Sequence, residues 1–169
     1  MSVSWAMADD ARFTVDSMLG SFARKLRIYG FDVIYDSKAD DHDLIDICLR
    51  EDRVLVTCDK ALYSAASRRG VKSILLVEDS DEERAATLFR SLGMKVRDID
   101  ASESRCPRCN SQLIAVSRDR VNGVVPESVL KRNNEFYMCV GCGKVYWQGG
   151  HWRRISAFGD NVKRLMRQA

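Results

Sequence analysis

The first hundred residues alternate between short apolar runs and segments in which apolar residues recur every three or four positions. The short runs predict strands over 12–15, 32–35, 53–57 and 73–77, and the segments between them predict helices over 17–29, 41–52, 60–69 and 81–92. Residues 95–97 are a candidate last short strand. This alternation predicts an α/β domain with a mostly parallel sheet over residues 12–100.

The pattern changes after residue 100. Residues 101–105 are predicted to be a polar linker, and helical periodicity is lost over residues 106–150. Within residues 151–169, a basic amphipathic helix is predicted from Ala157 onward, with Phe158 and Val162 on its apolar side. Residues 1–11 are expected to be a disordered or extended amino terminus. We find no internal repeat.

Two CxxC pairs dominate residues 106–150, and 29 residues separate them. The four cysteines are Cys106, Cys109, Cys139 and Cys142. Zn²⁺ binds four thiolates tetrahedrally, and each CxxC turn presents two of them. Two disulfides or four unrelated cysteines are the alternative. The amino terminus lacks the pattern of a secretory signal, so we expect a cytoplasmic protein, in which duplicated CxxC spacing favours a structural zinc ribbon.

The net charge of +3 is distributed unevenly along the chain. Residues 1–100 carry 15 Lys/Arg and 19 Asp/Glu, whereas residues 101–169 carry 12 and 5. This asymmetry predicts a cation site in the first part and a polyanion contact in the second, although two differently solvated surfaces would give the same counts. No apolar run approaches the roughly 18 residues of a membrane span, so no membrane contact is expected.

Aspartates stand where the predicted parallel strands end. Asp16 follows the first strand, Asp59 the third and Asp79 the fourth, while Asp41 and Asp43 lie at the start of the second helix. Strand carboxyl ends share one edge of a parallel sheet, and carboxylates gathered there select Mg²⁺ or Mn²⁺. Each aspartate has an alternative role as the N-cap of the helix that follows. Several at one edge favour a metal site.

The stretch FTVDSMLGSFARKLRIYGFD at residues 13–32 closely resembles the opening of the Mut7-C RNase family. The segments DHDLI at 41–45 and RVLVTCDKAL at 53–62, with the two CxxC pairs, resemble the later blocks of that family. The resemblance covers about residues 12–150. It implies a PIN-like nuclease domain followed by a zinc ribbon, and metal-dependent endonucleolytic cleavage of RNA.

The resemblance also implies roles for individual residues. Asp16 and Asp59 would hold one or two Mg²⁺ or Mn²⁺ ions with Asp41, for whose place Asp40 and Asp43 compete. Asp79 would be the fourth acidic residue. Thr57 would position a carboxylate or the scissile phosphate. His42 stands beside the cluster and either moves a proton or is incidental.

Basic residues interleaved with aromatics suit phosphates and unstacked bases, so we expect the second part of the chain to bind single-stranded or looped RNA. The alternative is that the aromatics cover the thin core of the ribbon. The expected RNA contacts are Arg24, Arg27, Arg108, Lys131, Arg132, Lys144, Arg153 and Arg154. Two other functions are considered. The first is an RNA-binding module without catalysis, for example one that takes part in ribosomal RNA processing. The second is a nuclease with one dedicated ribosomal RNA substrate, which would have the same architecture of a PIN-like domain and a zinc ribbon.

Overall fold

The structure, a computed structural model, describes residues 11–168. Its first part contains four strands, β1 (Arg12–Val15), β2 (Asp32–Ile34), β3 (Val54–Thr57) and β4 (Ser73–Leu75). All pair in parallel in the order β2-β1-β3-β4. The helices between and after them are α1 (Gly20–Ile28), α2 (Asp41–Glu51), α3 (Lys60–Arg68) and α4 (Asp81–Ser91). The predicted α/β class with a mostly parallel sheet is confirmed.

The strand sequences explain why helices cover both faces of this sheet. Every residue of β3 is buried, and successive side chains point to opposite faces. Val54 and Val56 join one core with Phe22 of α1, whereas Leu55 joins a second core with Leu44 of α2. The result is a three-layer sandwich in which all four strands end at the same edge.

A second sheet of three antiparallel strands contains the two cysteine pairs. Its strands β5 (Leu113–Val116), β6 (Phe136–Cys139) and β7 (Val145–Trp147) lie in sequence order. Two short helices, α5 (Arg118–Val121) and α6 (Glu127–Arg132), occupy the spacer between the CxxC pairs, where we predicted no helix. They are too short for a periodic signal, and they cover the buried Phe136 through Val121 and Leu130.

The last helix, α7, spans Gly150–Arg167 and starts seven residues before the predicted Ala157. Gly149 is its N-cap, so the glycine pair begins the helix instead of interrupting the chain. Phe158 and Val162 are buried in the first core, and α7 packs against α4. The terminal helix thus completes the α/β domain. The predicted strand at 95–97 is wrong, because no strand forms there.

Polar contacts fix the cysteine-bearing sheet to the edge strand β2. The side-chain oxygen of Asn110 accepts a hydrogen bond from the Val33 amide at 3.0 Å. The buried Arg27 donates to the Val33 carbonyl from Nε at 3.0 Å and from Nη2 at 2.8 Å. It also donates to the Pro107 carbonyl at 3.1 Å, inside the first CxxC turn. These contacts pair the amide and the carbonyl of Val33 on the outer edge of the sheet, where they would otherwise lack backbone partners.

The segment 101–105 belongs to the same junction. Ser104 Oγ donates to the carbonyl of Ile28 at 2.7 Å, and the Arg105 amide donates to the carbonyl of Arg27 at 2.8 Å. Ala101 and Ser104 are buried. The segment predicted as a polar linker therefore packs on the end of α1 and holds the two parts of the chain in a fixed arrangement.

Candidate functional site

Asp16 is the most buried acidic residue at the carboxyl edge of the first sheet, with 6% of its surface exposed. Its amide donates to the Val56 carbonyl at 3.0 Å, which extends the pairing of β1 with β3 by one residue. Thr57 Oγ1 donates to Asp16 Oδ2 at 2.8 Å and accepts a hydrogen bond from the Asp59 amide at 2.9 Å. One buried hydroxyl therefore ties the ends of β1 and β3 together and orients the Asp16 carboxylate.

Two of these aspartates also cap the helices that follow them. Asp16 Oδ1 accepts from the Ser17 hydroxyl at 3.2 Å and caps the 3-10 turn at Ser17–Leu19. Asp59 Oδ1 accepts from the amides of Ala61 at 2.6 Å and Leu62 at 3.3 Å. The capping role considered from sequence is thus real. It uses Oδ1 of Asp59 and leaves Oδ2 outside the cap.

The neighbouring aspartates at the start of α2 have different roles. Asp40 is the N-cap, and its Oδ1 accepts from the Asp43 amide at 2.9 Å. Asp41 is the first residue of the helix. Burial raises the pKa of Asp41, and the negative charges of Asp59, Asp16 and Asp40 raise it further. The charges of Asp59 and Asp16 thus act on Asp41, whereas Asp40 caps the helix.

Asp79 is exposed in the loop between β4 and α4. Sequence reasoning missed Asp81, two residues later, whose side chain is only 10% exposed. Its two oxygens accept from Lys25 at 2.8 Å and from Arg84 at 2.9 Å. Although burial opposes it, these hydrogen bonds hold the pKa of Asp81 below its usual range. The only signal in the sequence is its position at the first turn of a helix that starts at this edge.

Arg84 brings positive charge close to the carboxylates. Burial raises the pKa of Cys58 and the charge of Asp16 raises it further, while the charge of Arg84 opposes them. Arg84 itself donates to Asp81 at 2.9 Å, at the start of the helix that follows β4. The edge therefore combines carboxylates with a neighbouring cation, an arrangement suited to a phosphate group as well as to a metal.

The four cysteines form a compact cluster. Their sulfurs all lie within 4.8 Å of one another, with 3.7 Å between Cys106 and Cys142 and 3.3 Å between Cys109 and Cys139. Sulfurs bound tetrahedrally at 2.3 Å from one Zn²⁺ would lie roughly 3.8 Å apart, so the residues fit this ion. Among residues 11–168, no other group of three or more His, Cys, Asp or Glu ligand atoms is gathered this closely.

Hydrogen-bond donors surround the sulfurs of this cluster. Hydrogen bonds from Ser111 lower the pKa of Cys109 to about 6, whereas burial raises the pKa of Cys139 to about 12. The Cys142 amide donates to Cys139 Sγ at 3.3 Å, and the Tyr146 hydroxyl lies 3.0 Å from Cys106 Sγ. N–H and O–H donors around thiolates fix their orientation in metal sites. The cluster could therefore bind a metal such as zinc.

The expected RNA contacts fall into two groups. Arg27 is 5% exposed, and its guanidinium is occupied by backbone carbonyls, so the expectation that it meets RNA is not supported by its position. Lys131 is exposed and forms an ion pair with Glu127 at 2.6 Å. The remaining expected contacts are exposed on the surface: Arg24, Arg108, Arg132, Lys144, Arg153 and Arg154.

Within residues 11–168, no helix combines the length and the apolar character that a membrane span requires. A search of curated proteins finds no match to the chain. A comparison with protein families matches residues 11–158 to the family described as the Mut7-C RNAse domain. The match includes both the aspartate edge and the four cysteines. The chain therefore belongs to the Mut7-C RNAse domain family.

Proposed function

We propose that the protein is an endoribonuclease that hydrolyses RNA phosphodiesters with the help of Mg²⁺ or Mn²⁺ held at the carboxyl edge of the parallel sheet. The observation that carries this proposal is the placement of Asp16, Asp59 and Asp41 at this edge: Thr57 Oγ1 donates to the Asp16 carboxylate and accepts from the Asp59 amide, and the charges of Asp59 and Asp16 contribute to the raised pKa of Asp41. Carboxylates placed to repel one another at a sheet edge are stabilised by a divalent cation.

The ion in this proposal is hydrated. Their oxygens are not as closely gathered as the cysteine sulfurs, so they do not form a closed cage. Mg²⁺ keeps several of its waters and is commonly held by one or two carboxylates together with substrate phosphates. Asp16 and Asp59, joined through the Thr57 hydroxyl, are the proposed direct ligands, and Asp41 would bind directly or through water.

A divalent ion at this position would lower the pKa of a bound water and neutralise charge on the leaving oxygen. The protein's own residues would fix the geometry. Thr57 holds the Asp16 carboxylate in one orientation, and the helix cap holds Asp59. Lys25 and Arg84, both ion-paired with Asp81, would attract the phosphate backbone to this edge.

The cysteine cluster has a structural role in this proposal. A four-thiolate Zn²⁺ site has no open position for chemistry, so it would stabilise the second sheet and its basic surface. That surface would hold single-stranded or looped RNA. An RNA-binding module without catalysis is the alternative, and it is favoured by the fact that Asp16, Asp40 and Asp59 all serve as helix caps.

A cleavage assay distinguishes the metal-dependent endoribonuclease from the RNA-binding module without catalysis. Zinc-loaded protein is freed of other divalent ions and incubated with end-labelled RNA, with Mn²⁺ or Mg²⁺ added or withheld. We expect cleavage only with the added ion, and a loss of at least about 100-fold in Asp59→Asn, typical of removing a group that acts in the transition state. The matched control is Asp46→Asn, on the α2 surface in an ion pair with Arg69. Cleavage that persists in Asp59→Asn would refute the proposal.

Binding measured in parallel identifies the alternative. If the protein retains salt-sensitive RNA binding but cuts no RNA with either ion, it is a passive module.

A further inference from the structure

Three adjoining cavities surround one side chain, Trp147, at the end of β7. The first, of about 120 Å³, lies between the second sheet, the end of α1 and the start of α7. The others, of about 480 and 360 Å³, open on either side of the Gly149-Gly150 turn. Trp147 lines all three, and 36% of its surface remains exposed. The fold therefore leaves a large aromatic ring in the middle of a groove.

The backbone fixes the position of this ring. β7 pairs with β6 so that Trp147 stands opposite the buried Phe136. The Gly149 amide then donates to the Trp147 carbonyl at 3.0 Å, which turns the chain tightly into α7. A Cβ on Gly149 would lie 3.1 Å from Trp147 Nε1, so the indole lies close against the turn. The ring is held in place before any ligand arrives.

The rest of the lining includes further aromatic and basic side chains beside aliphatic and neutral polar ones. Tyr137, Tyr146 and Trp152 add aromatic surface, and the basic side chains are supplied by Arg105, Lys144, Arg132 and Arg153. No acidic residue lines any of the three cavities as formed by residues 11–168. Arg132 and Arg153 are exposed and make no ion pair with another residue of that range. Cationic side chains beside exposed aromatic rings complement a ligand that carries both phosphates and flat apolar faces.

We infer that this groove binds unpaired nucleotides of RNA, with a base stacked on Trp147 and the phosphates on Arg132 and Arg153. This rests on the proposed function and names the form of RNA that it requires. A base is available for stacking on a side chain only when the strand is unpaired, so duplex RNA does not fit the groove.

The groove is placed to deliver a strand to the aspartate edge. Ile28, the last residue of α1, lines the first cavity, and Asp16 lies just before the other end of this helix. The nine residues of α1 at about 1.5 Å per residue and the three of the preceding 3-10 turn at about 2.0 Å per residue together span roughly 20 Å. At roughly 3.4 Å per stacked nucleotide, about six nucleotides bridge that distance.

The test measures binding without divalent ions, so that cleavage plays no part. The ligands are a single-stranded oligouridine of about ten nucleotides, within the usual site sizes, and a ribose-phosphate strand of equal length that lacks its bases. Binding to zinc-loaded wild type and Trp147→Ala is followed by fluorescence anisotropy. Zinc content and melting temperature establish that the variant is folded, and Trp147→Phe is the matched control because it keeps an aromatic face.

We expect wild type to bind the base-bearing strand about five- to 150-fold more tightly than the abasic strand, the usual range for stacking one base on an aromatic ring. Trp147→Ala should lose most of this preference and Trp147→Phe should keep it. Arg153→Ala should weaken the binding of both strands by a similar factor. It should also reduce the salt dependence of the binding constant by about one released counterion. Equal affinity of wild type for the two strands, or an unchanged preference in Trp147→Ala, would overturn the inference. So would binding of duplex RNA as tightly as oligouridine.

These outcomes are independent of the cleavage assay. A protein that prefers the base-bearing strand but cuts no RNA would refute the nuclease and leave the groove in place, whereas cleavage without that preference would do the reverse.

Discussion

Replacing Arg27 by alanine should detach the cysteine-bearing sheet from the edge of the parallel sheet. The Arg27 guanidinium is buried and makes two hydrogen bonds to the Val33 carbonyl and one each to the carbonyls of Pro107 and Arg108. Alanine would leave these three carbonyls without this donor. Arg24, on the same helix and exposed, provides the matched control.

The magnitude follows from these contacts. A hydrogen bond from a charged donor contributes about 1.5–3 kcal/mol, and a buried carbonyl left unpaired costs about 1–3 kcal/mol. Because these contributions overlap, we expect Arg27→Ala to lower the free energy of unfolding by about 3–5 kcal/mol. For a chain of this size that corresponds to a fall in melting temperature of roughly 6–20 °C. Arg24→Ala should change the free energy of unfolding by less than about 0.5 kcal/mol.

Urea unfolding of the zinc-loaded proteins measures this difference, and metal removal tests its cause. In wild type, chelation of the ribbon metal should destabilise the parallel sheet as well, because Asn110 and Pro107 both hold β2 from the first CxxC turn. In Arg27→Ala the contact with Pro107 is lost while that of Asn110 with Val33 remains, so the two sheets are coupled more weakly and chelation should cost at least about 1 kcal/mol less than in wild type. Equal effects of Arg27→Ala and Arg24→Ala, or additive effects of chelation and Arg27→Ala, would refute the reasoning.

Three further predictions concern the metal cluster, the α7 packing and the aspartate edge. Cys139→Ser should reduce bound zinc from about one ion per chain to near zero by elemental analysis, whereas Cys58→Ser should retain it. Gly159→Ala should lower the free energy of unfolding by about 1–3 kcal/mol in urea, because the new Cβ would clash with the Tyr29 hydroxyl. The Cβ of Gly150→Ala would meet no atom within 4 Å, so this variant should be nearly neutral. Asp41→Asn should raise the melting temperature at pH 7 without divalent ions, since the raised pKa means that ionised Asp41 destabilises the folded state. This gain should vanish below a pH of about 3.9, where the carboxyl is protonated in the folded and unfolded states alike, and Mn²⁺ should reduce it at pH 7. Retained zinc in Cys139→Ser, equal stability of the two glycine variants, or a lower melting temperature for Asp41→Asn at pH 7 would contradict the respective prediction.

The sequence predicts the parallel sheet well because the signals there are local. Runs such as RVLVT predict a strand that is buried on both faces. The aspartates that follow such strands then lie at the same edge of the parallel sheet. The cysteine cluster is equally local, because each CxxC turn brings its own pair of sulfurs together. The spacing of Asp41, Asp43 and Asp40 could not decide which of them faces the edge, since one turn of helix presents all three at its start. In the structure Asp40 is the N-cap of α2.

The role of Arg27 depended on contacts that no local pattern describes. Its partners Pro107 and Arg108 are 80 and 81 residues away. One signal was present: Arg27 lies four residues after the buried Ala23 and therefore on the apolar side of α1. A charged residue on the buried side of a helix needs partners there, which favours a structural role over contact with RNA.

The start of α7 and the groove around Trp147 could not be predicted from the sequence either, because a glycine pair usually interrupts a helix. Here Gly149 is the cap and Gly150 the first helical residue, so the aromatic strand β7 runs directly into α7. Basic and aromatic residues that are only interleaved in sequence thus come to line one groove.

The most direct test of the proposed nuclease site is anomalous X-ray scattering from crystals of the zinc-loaded protein soaked in Mn²⁺. We predict a manganese peak at the carboxyl edge of the parallel sheet, within about 2.0–2.3 Å of carboxylate oxygens of Asp16 and Asp59, and its loss in Asp16→Asn. Manganese absent from that edge, or bound there equally in Asp16→Asn, would contradict the account.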